Sequence, residues 1–525
     1  MKARPSIFND VLGPVMRGPS SSHTAASWRI GKVGVCLLGE PLAKALIEFD
    51  AEGGWAPNYE EQGTVLGMTG GLLDIDITDR DIVDGTAIAV KRGIPIEYKI
   101  SRFPTDHPNT VRITLEGAHG ARIVLVSVSL GGGMFETRML QGHPFHTQGD
   151  YYDLVGWTAE APIADQKAAL NQLLQAGTQA VWSQGSASSQ FHIQSAFEFN
   201  PNVVQQIRSL EWVSKVSISP PIMPIIAGRE SRFDFTTYEE LVAFNASKSL
   251  SASSLGLLYE AQRSGLSEVE LLGKMGELVR IIEDSIAIGL KGTHYEDRIL
   301  HQQSHLIAKA EKERLLPGDS LTYRIIENIS AIMESKSGME VIVAAPTAGG
   351  CGTLGGVIKA VCDAKEIPQD VKVKAYFAAG LVGVFFANGP GFSAETGGCQ
   401  LETGAAAAMA AAALADIFGG TSEQALGAAS MALQNTIGLV CDPVADRVEV
   451  PCLGKNITAG MNALAASTMA LSGYAHVIPL DEVIETVKSV AASMPRSLCC
   501  TGLGGLAATP TSADLKKKLS CVTCS

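Results

Sequence analysis

The sequence is poor in charge, in aromatic rings and in basic clusters. Of its 525 residues only 18% are charged and 6% aromatic, and 54 acidic side chains outnumber 41 basic ones for a formal charge of −13. This acidic balance argues against a broad nucleic-acid surface, which would need clustered Lys and Arg. No apolar run is long enough to span a bilayer. The longest, residues 404–415, lies between Glu402 and Asp416 and predicts a buried helix. Near the start, Asn9, Asp10 and Arg17 interrupt the stretch after Lys2 and Arg4 before any signal-peptide segment forms, so a cytoplasmic location is expected. Without export, the ten cysteines are not expected to form a disulfide framework. What is abundant is apolar surface, 46% of residues, which favours a folded chain with a sizeable core.

The pattern divides into three parts, within the two to four domains that such a length suggests. Residues 1–150 predict an α/β N-terminal domain. There Val111-Arg112-Ile113-Thr114-Leu115 alternates, Gly117 and Gly120 allow a turn, and Ile123-Val124-Leu125-Val126 follows as a second strand. The hairpin ends at Gly131-Gly132-Gly133, either a flexible turn or a site of close backbone approach. Residues 151–230 predict a small β-α-β middle segment, ACT-like in pattern. Its strands lie at 191–199 and 213–218, around a helix that Asn200 caps and Pro201 opens. Pro220, Pro221 and Pro224 mark a linker, and the segment is either regulatory or a brace. Residues 231–525 predict a mainly α-helical C-terminal catalytic domain with a Cys-containing tail. Ser267 with Glu270, and Thr421 with Gln424, have capping-box spacing, and Leu272, Met275, Val279, Ile282 and Ile286 recur on one helix face.

Three cysteines lie beside Gly or Pro in short connections: Gly398-Cys399-Gln400, Cys441-Asp442-Pro443-Val444 and Val450-Pro451-Cys452. Their intervals match no zinc-finger spacing. Each alone is more often a core residue, but as a set they suit soft iron–sulfur ligation as well as zinc. A second polar group is Gly18-Pro19-Ser20-Ser21-Ser22-His23-Thr24, whose hydroxyls suit a carboxylate and whose imidazole can move protons near neutral pH.

With Ala345-Pro346-Thr347-Ala348-Gly349 and Thr501-Gly502-Leu503-Gly504-Gly505-Leu506-Ala507-Ala508-Thr509-Pro510, the cysteine motifs resemble the α part of iron–sulfur-dependent L-serine dehydratases. The 18–24 motif, His107-Pro108-Asn109 and Ser129-Leu130-Gly131-Gly132-Gly133 resemble that family's β part. The resemblance implies a [4Fe-4S] cluster on Cys399, Cys441 and Cys452 with one iron lacking a permanent thiolate, and a catalytic loop of Ser21, Ser22, His23 and Thr24. It implies β-elimination of a 3-hydroxy amino acid, most simply L-serine to pyruvate and ammonia. The small amino acid is then the partner, with no nucleic acid or membrane, and a homo-oligomer is expected. Thr347, Asn388 and Asn456 are weaker pocket candidates. Cys36, Cys351 and Cys362 read as packing residues.

Two departures matter. Where the family carries Gly-His-Gly-Thr-Asp, this chain reads Glu61-Gln62-Gly63-Thr64-Val65, and glutamine cannot serve as a base near neutral pH. A different β-substituted amino acid, threonine- or cysteine-like, is therefore an alternative substrate, and a noncatalytic iron–sulfur redox sensor is an alternative of another class. Late in the chain lie Cys499, Cys500, Cys521 and Cys524; the resemblance implies that Cys521 or Cys524 acts as a removable fourth cluster ligand, the alternative being a frayed terminus. A pyridoxal-phosphate enzyme would use Gly349-Gly350-Cys351-Gly352 as a phosphate cradle, but no motif supplies its lysine.

Overall fold

The computed structural model describes residues 4–174, 178–184, 189–228 and 233–522. Strands β1 (Val15–Met16), β2 (Leu42–Asp50), β3 (Ile96–Ser101), β4 (Thr110–Gly117), β5 (Arg122–Gly131), β6 (Met134–Leu140) and β7 (His143–Thr147) come first. Six of them form one sheet in the order β3-β2-β4-β5-β6-β7. All its pairs are antiparallel except β2 with β3. The β4–β5 hairpin follows the alternation of its sequence, with Val111, Ile113, Leu115, Ile123 and Leu125 buried on one face.

Helices Ala26–Leu38 and Thr64–Leu72 pack on this sheet and on each other. Glycine sets how closely they approach. A Cβ on Gly67 would lie 1.9 Å from the Thr24 carbonyl oxygen, and one on Gly71 would lie 2.1 Å from that of Trp28. The loop at 20–24 is thereby pressed onto the segment that carries Gln62.

The middle segment holds more than the expected β-α-β. Strands β8 (Tyr152–Thr158), β9 (Val181–Gln184), β10 (Ser189–Ser195) and β11 (Lys215–Ser219) pair in the order β11-β8-β10-β9, with helices Ala164–Leu173 and Pro201–Arg208 between them. The unit is β-α-β-β-α-β, and the expected three elements are its second half. β8 is buried along nearly its whole length and β9 is short, so neither shows the alternation that reveals a strand. Asn200 caps the Pro201 helix as expected, its side chain accepting from the N–H of Asn202 at 2.9 Å.

From Tyr238 onward the chain is helical apart from β12 (Ile342–Val343). Every residue from 404 to 415 is buried in the Thr403–Ile417 helix, and its alanines let three long neighbours, Gln369–Asn388, Ser422–Gln434 and Val450–Leu471, pack directly against it. Both capping boxes form, Ser267 with Glu270 and Thr421 with Gln424.

The first residues stitch the two parts together. β1 pairs with β12, and the turn Ile7–Val11 enters the helical core, where the Phe8 and Phe377 rings meet edge-on at 6.0 Å. The buried Glu260 carboxylate accepts from the Ser6 hydroxyl at 2.6 Å and from the Ile7 N–H at 2.7 Å. The glycine turn serves the same seam. Gly131, Gly132 and Gly133 have φ of +89°, +61° and +83°, and a Cβ on Gly131 would sit 2.6 Å from the Ser393 nitrogen. Close approach is thus the role of this turn, made to protein backbone.

Asp10 gives the seam a pH dependence. Burial raises its pKa to about 6 against the pull of the Ser6 N–H and of Arg263. The folded protein keeps this proton to about pH 6, whereas a free aspartate releases it near 3.8. Asp10 therefore favours the fold most below that lower value, and this contribution falls by up to about 3 kcal/mol as pH rises through the folded pKa. Thermal melts from pH 4 to 7 should show that Asp10→Asn removes this decline; parallel curves for the two proteins would show that Asp10 does not titrate as stated.

Candidate active site

Cys399, Cys441 and Cys452, distant in sequence, are all buried; Cys399 and Cys441 come together, and Cys452 lies near Cys399 without joining their donor group. Cys399 follows Gly398, which holds φ +76° with its Cβ position against the Leu439 carbonyl at 2.7 Å, so only glycine fits ahead of it. Cys441 lies in the connection after the Ser422–Gln434 helix, and Cys452 is in the first turn of the Val450–Leu471 helix, where Pro451 fits because that turn lacks an N–H acceptor. The ligand atoms of Cys399, Cys441 and Glu402 lie within 4.8 Å of one another. Cys399 and Cys500 are the neighbours that act on the Cys441 thiol. All eight described cysteines with placed side chains are free thiols.

The charges around them are few and specific. Lys455 Nζ stands 3.7 Å from Cys399 Sγ and donates to Asp442 Oδ1 at 2.6 Å and to the Val440 carbonyl at 2.7 Å. Contact with Cys399 and Cys500, together with burial, raises the Cys441 thiol well above its usual range, and burial does the same to Cys452. Thiols so placed ionise readily only beside a cation. Soft donors that are buried and unbridged, with Lys455 beside Cys399, fit a thiophilic metal or an iron–sulfur cluster.

The 20–24 loop meets this group from the sheet side. His23 is fully buried between Asn58 and Glu395. Asn58 Nδ2 donates to the Cys500 carbonyl at 3.0 Å, so its Oδ1 is turned to accept from His23 Nε2 at 3.0 Å. That places the imidazole proton on Nε2 and leaves the Nδ1 lone pair facing the Ser20 and Ser22 hydroxyls, each 3.1 Å away. Glu395 Oε1 lies 3.4 Å from Nδ1 and accepts from Ser22 Oγ at 2.7 Å, while its other oxygen accepts from Ser393 Oγ at 2.7 Å. Burial lowers the His23 pKa against the attraction of Glu395. Burial opposes the charge on Glu395 too, but His23 and the two serine hydroxyls outweigh it. The pair is a neutral imidazole beside an ionised carboxylate.

The remaining loop residues act as ties. Ser21 Oγ accepts from the Ala348 N–H at 3.1 Å, anchoring the loop to the Pro346-Thr347 turn. Thr24 Oγ1 donates to the Gln62 carbonyl at 3.1 Å. Among the weaker candidates, Asn456 is fully engaged, donating to the Gly349 and Cys452 carbonyls at 2.7 Å each, while Asn388 is exposed at a helix end. Thr347 contacts Glu402, whose pKa burial raises to about 7. A Cβ on Gly349 would lie 2.8 Å from a Glu402 carboxylate oxygen, so the supposed phosphate cradle faces an acid.

Cys351 and Cys362 are packing residues, their thiols pushed up to about 12 and 11 chiefly by burial. Cys36 is partly buried. Cys524 and the side chain of Cys521 lie outside the described residues. Sequence reasoning missed Glu395, Asn58 and Lys455, and it counted Cys500 among the late cysteines without giving it a role. Glu395 and Cys500 stand within or beside recognised motifs, which is the signal that could have found them; Asn58 had none.

The chain matches the model of the serine dehydratase alpha chain over residues 233–507. The chain belongs to the serine dehydratase family. A probable L-serine dehydratase alpha chain of Latilactobacillus sakei is 44% identical over 194 residues, 37% of this chain and 93% of the relative. The alpha chain of Bacillus subtilis is 35% identical over 286 residues, covering 54% and 95%. The beta chain of the same organism is 40% identical over 151 residues, covering 29% and 66%. One chain here therefore resembles two separate subunits there. As in the sequence reading, no described helix of this serine dehydratase family member is long and apolar enough to cross a membrane.

Proposed function

We propose that this chain converts L-serine to pyruvate and ammonia, with a [4Fe-4S] cluster held by Cys399, Cys441 and Cys452. What supports the reading is that the buried Cys399 and Cys441 come together and that Cys500, beside Cys441, is tied through its carbonyl and Asn58 to His23. When bound, such a cluster supplies a Lewis-acidic iron that can polarise the carbon–oxygen bond of a β-hydroxyl.

The protein supplies position and proton transfer. His23 Nδ1, left unprotonated by the Asn58 bond on Nε2, removes the α-proton. Glu395, 3.4 Å away, stabilises the imidazolium that results. Ser20 and Ser22 hold the ring, Ser22 through the proton it donates to Glu395. Burial excludes water while the bond breaks. The β-hydroxyl departs as water with the proton that His23 has taken, and the enamine left behind tautomerises and hydrolyses to the keto acid and ammonia.

The test is anaerobic purification, iron and sulfide analysis, and ammonia release from serine, threonine and cysteine. The expected result is roughly four irons per chain and fastest turnover of L-serine; iron-free protein, or iron-loaded protein inert toward every amino acid, overturns the proposal. One observation favours a second reading. Gln62, buried and bonded to Cys500, moves no proton, so the same scaffold would serve another β-substituted amino acid if threonine or cysteine outpaces serine.

A further inference from the structure

We propose that Asn109 and Trp55 form the receptor for the α-ammonium and α-carboxylate groups of the amino-acid substrate. The inference rests on the reaction proposed above and adds side chains that none of its steps uses. Their unpaired polar atoms, their place beside His23 and the charge around them support it.

Asn109 is fully buried, yet neither Nδ2 nor Oδ1 finds a hydrogen-bond partner among the described residues. Trp55 is buried as completely, and its Nε1–H has no partner there either. Buried polar groups are almost always engaged, because an unmade hydrogen bond leaves the full desolvation penalty standing. The fold nevertheless makes room for this amide. A Cβ on Gly54 would lie 2.6 Å from Asn109 Oδ1, so glycine is what leaves the amide its place.

Backbone bonds hold Asn109 next to the catalytic loop. The Ser129 N–H donates to the Asn109 carbonyl at 3.0 Å, and the Ser129 hydroxyl donates to the Ser22 carbonyl at 2.8 Å. The same Cβ position on Gly54 would be 3.4 Å from Glu395 Cβ, so the Asn109 amide and Glu395 flank one glycine. The Trp55 ring centre stands 5.8 Å from that of His23. Both unpaired side chains thus border the His23–Glu395 pair, where the α-carbon must sit for His23 to take its proton.

Charge decides which group goes where. An amino acid brings N–H donors on its ammonium and acceptor oxygens on its carboxylate. The ionised Glu395 draws the ammonium to its side and repels the carboxylate, so Asn109 Oδ1, which shares Gly54 with Glu395, accepts from the ammonium. Asn109 Nδ2 and Trp55 Nε1 can only donate, and they take the carboxylate. Hydrogen bonds to ionised groups are the stronger kind, so a bound zwitterion offsets the penalty that the unpaired atoms carry without it. A ligand with only one of the two groups leaves part of the receptor unpaired, which selects for amino acids.

The experiment compares wild type, Asn109→Leu and Trp55→Phe, all reconstituted anaerobically. It measures iron content, melting temperature, kinetics with L-serine, and inhibition by L-alanine, which carries both charged groups but no hydroxyl to lose. Asn109→Leu should keep wild-type iron and melt no lower than wild type, because it gives up no side-chain hydrogen bond within the protein. Its KM for L-serine should rise roughly 10- to 100-fold with a much smaller fall in kcat, and its inhibition constant for L-alanine should rise by the same factor. Trp55→Phe removes one donor and keeps a ring, so both constants should rise about tenfold. Unchanged constants in Asn109→Leu overturn this inference alone. A melting temperature well below wild type makes the amide a structural tie and overturns it as well. Wild type that turns over no amino acid overturns the underlying reading.

Discussion

Cys452→Ala, purified without oxygen, should release on the order of a hundredfold less ammonia from L-serine than wild type and should hold little iron. The size of the effect follows from how firmly the site is built. Asn456 grips the Cys452 and Gly349 carbonyls at once, so the first helical turn cannot shift to offer another donor. Cys500 is committed to Cys441 and Gln62, whereas Cys452 neighbours Cys399, Glu402 and the buried Lys336. Glu402 is the one acid at hand, and burial raises its pKa to about 7. A half-protonated, hard oxygen donor is a poor substitute for a soft thiolate. Cys351→Ala is the control, since that thiol is buried 4.0 Å from Met333 Sδ and touches none of the set. Full iron content in Cys452→Ala, with an unchanged melting temperature, would remove Cys452 from the ligand set.

What was legible in the sequence was what is local. The capping boxes of Ser267 and Thr421, the β4–β5 hairpin and the alanine helix each depend on residues a few positions apart, and each stands where the pattern put it. The six-element middle unit was half legible, because a strand buried on both faces loses its alternation. The entry of Ile7–Val11 into the helical core was not legible at all: a short apolar turn carries no mark of its partner. The site divides the same way. Its motif cysteines and the His23 loop could be read along the chain, but the Glu395 and Asn58 contacts on either side of His23 exist only once sheet and helices meet. Gln62 gains its meaning from the same meeting: the sequence flagged it as a missing base, and packing makes it the partner of Cys500.

His23→Asn should lower kcat by on the order of 10²–10⁴, with iron content and spectrum close to wild type. The removed group is the buried imidazole held between Asn58 and Glu395, and asparagine keeps a polar side chain for the serines without a basic lone pair. The pH profile separates a base from a mere spacer. His23 must be neutral to act, and burial lowers its pKa, so activity should be retained below the usual histidine range and be lost only as pH falls through that lowered value. Glu395 opposes the lowering. Glu395→Gln should therefore move the acid limb to still lower pH, because the imidazolium loses its charged neighbour. It should also reduce kcat, since that same charge stabilises the protonated ring formed during turnover. A spacer role for His23 would leave the acid limb where it is in Glu395→Gln, and wild-type turnover by His23→Asn would assign proton removal to a different residue.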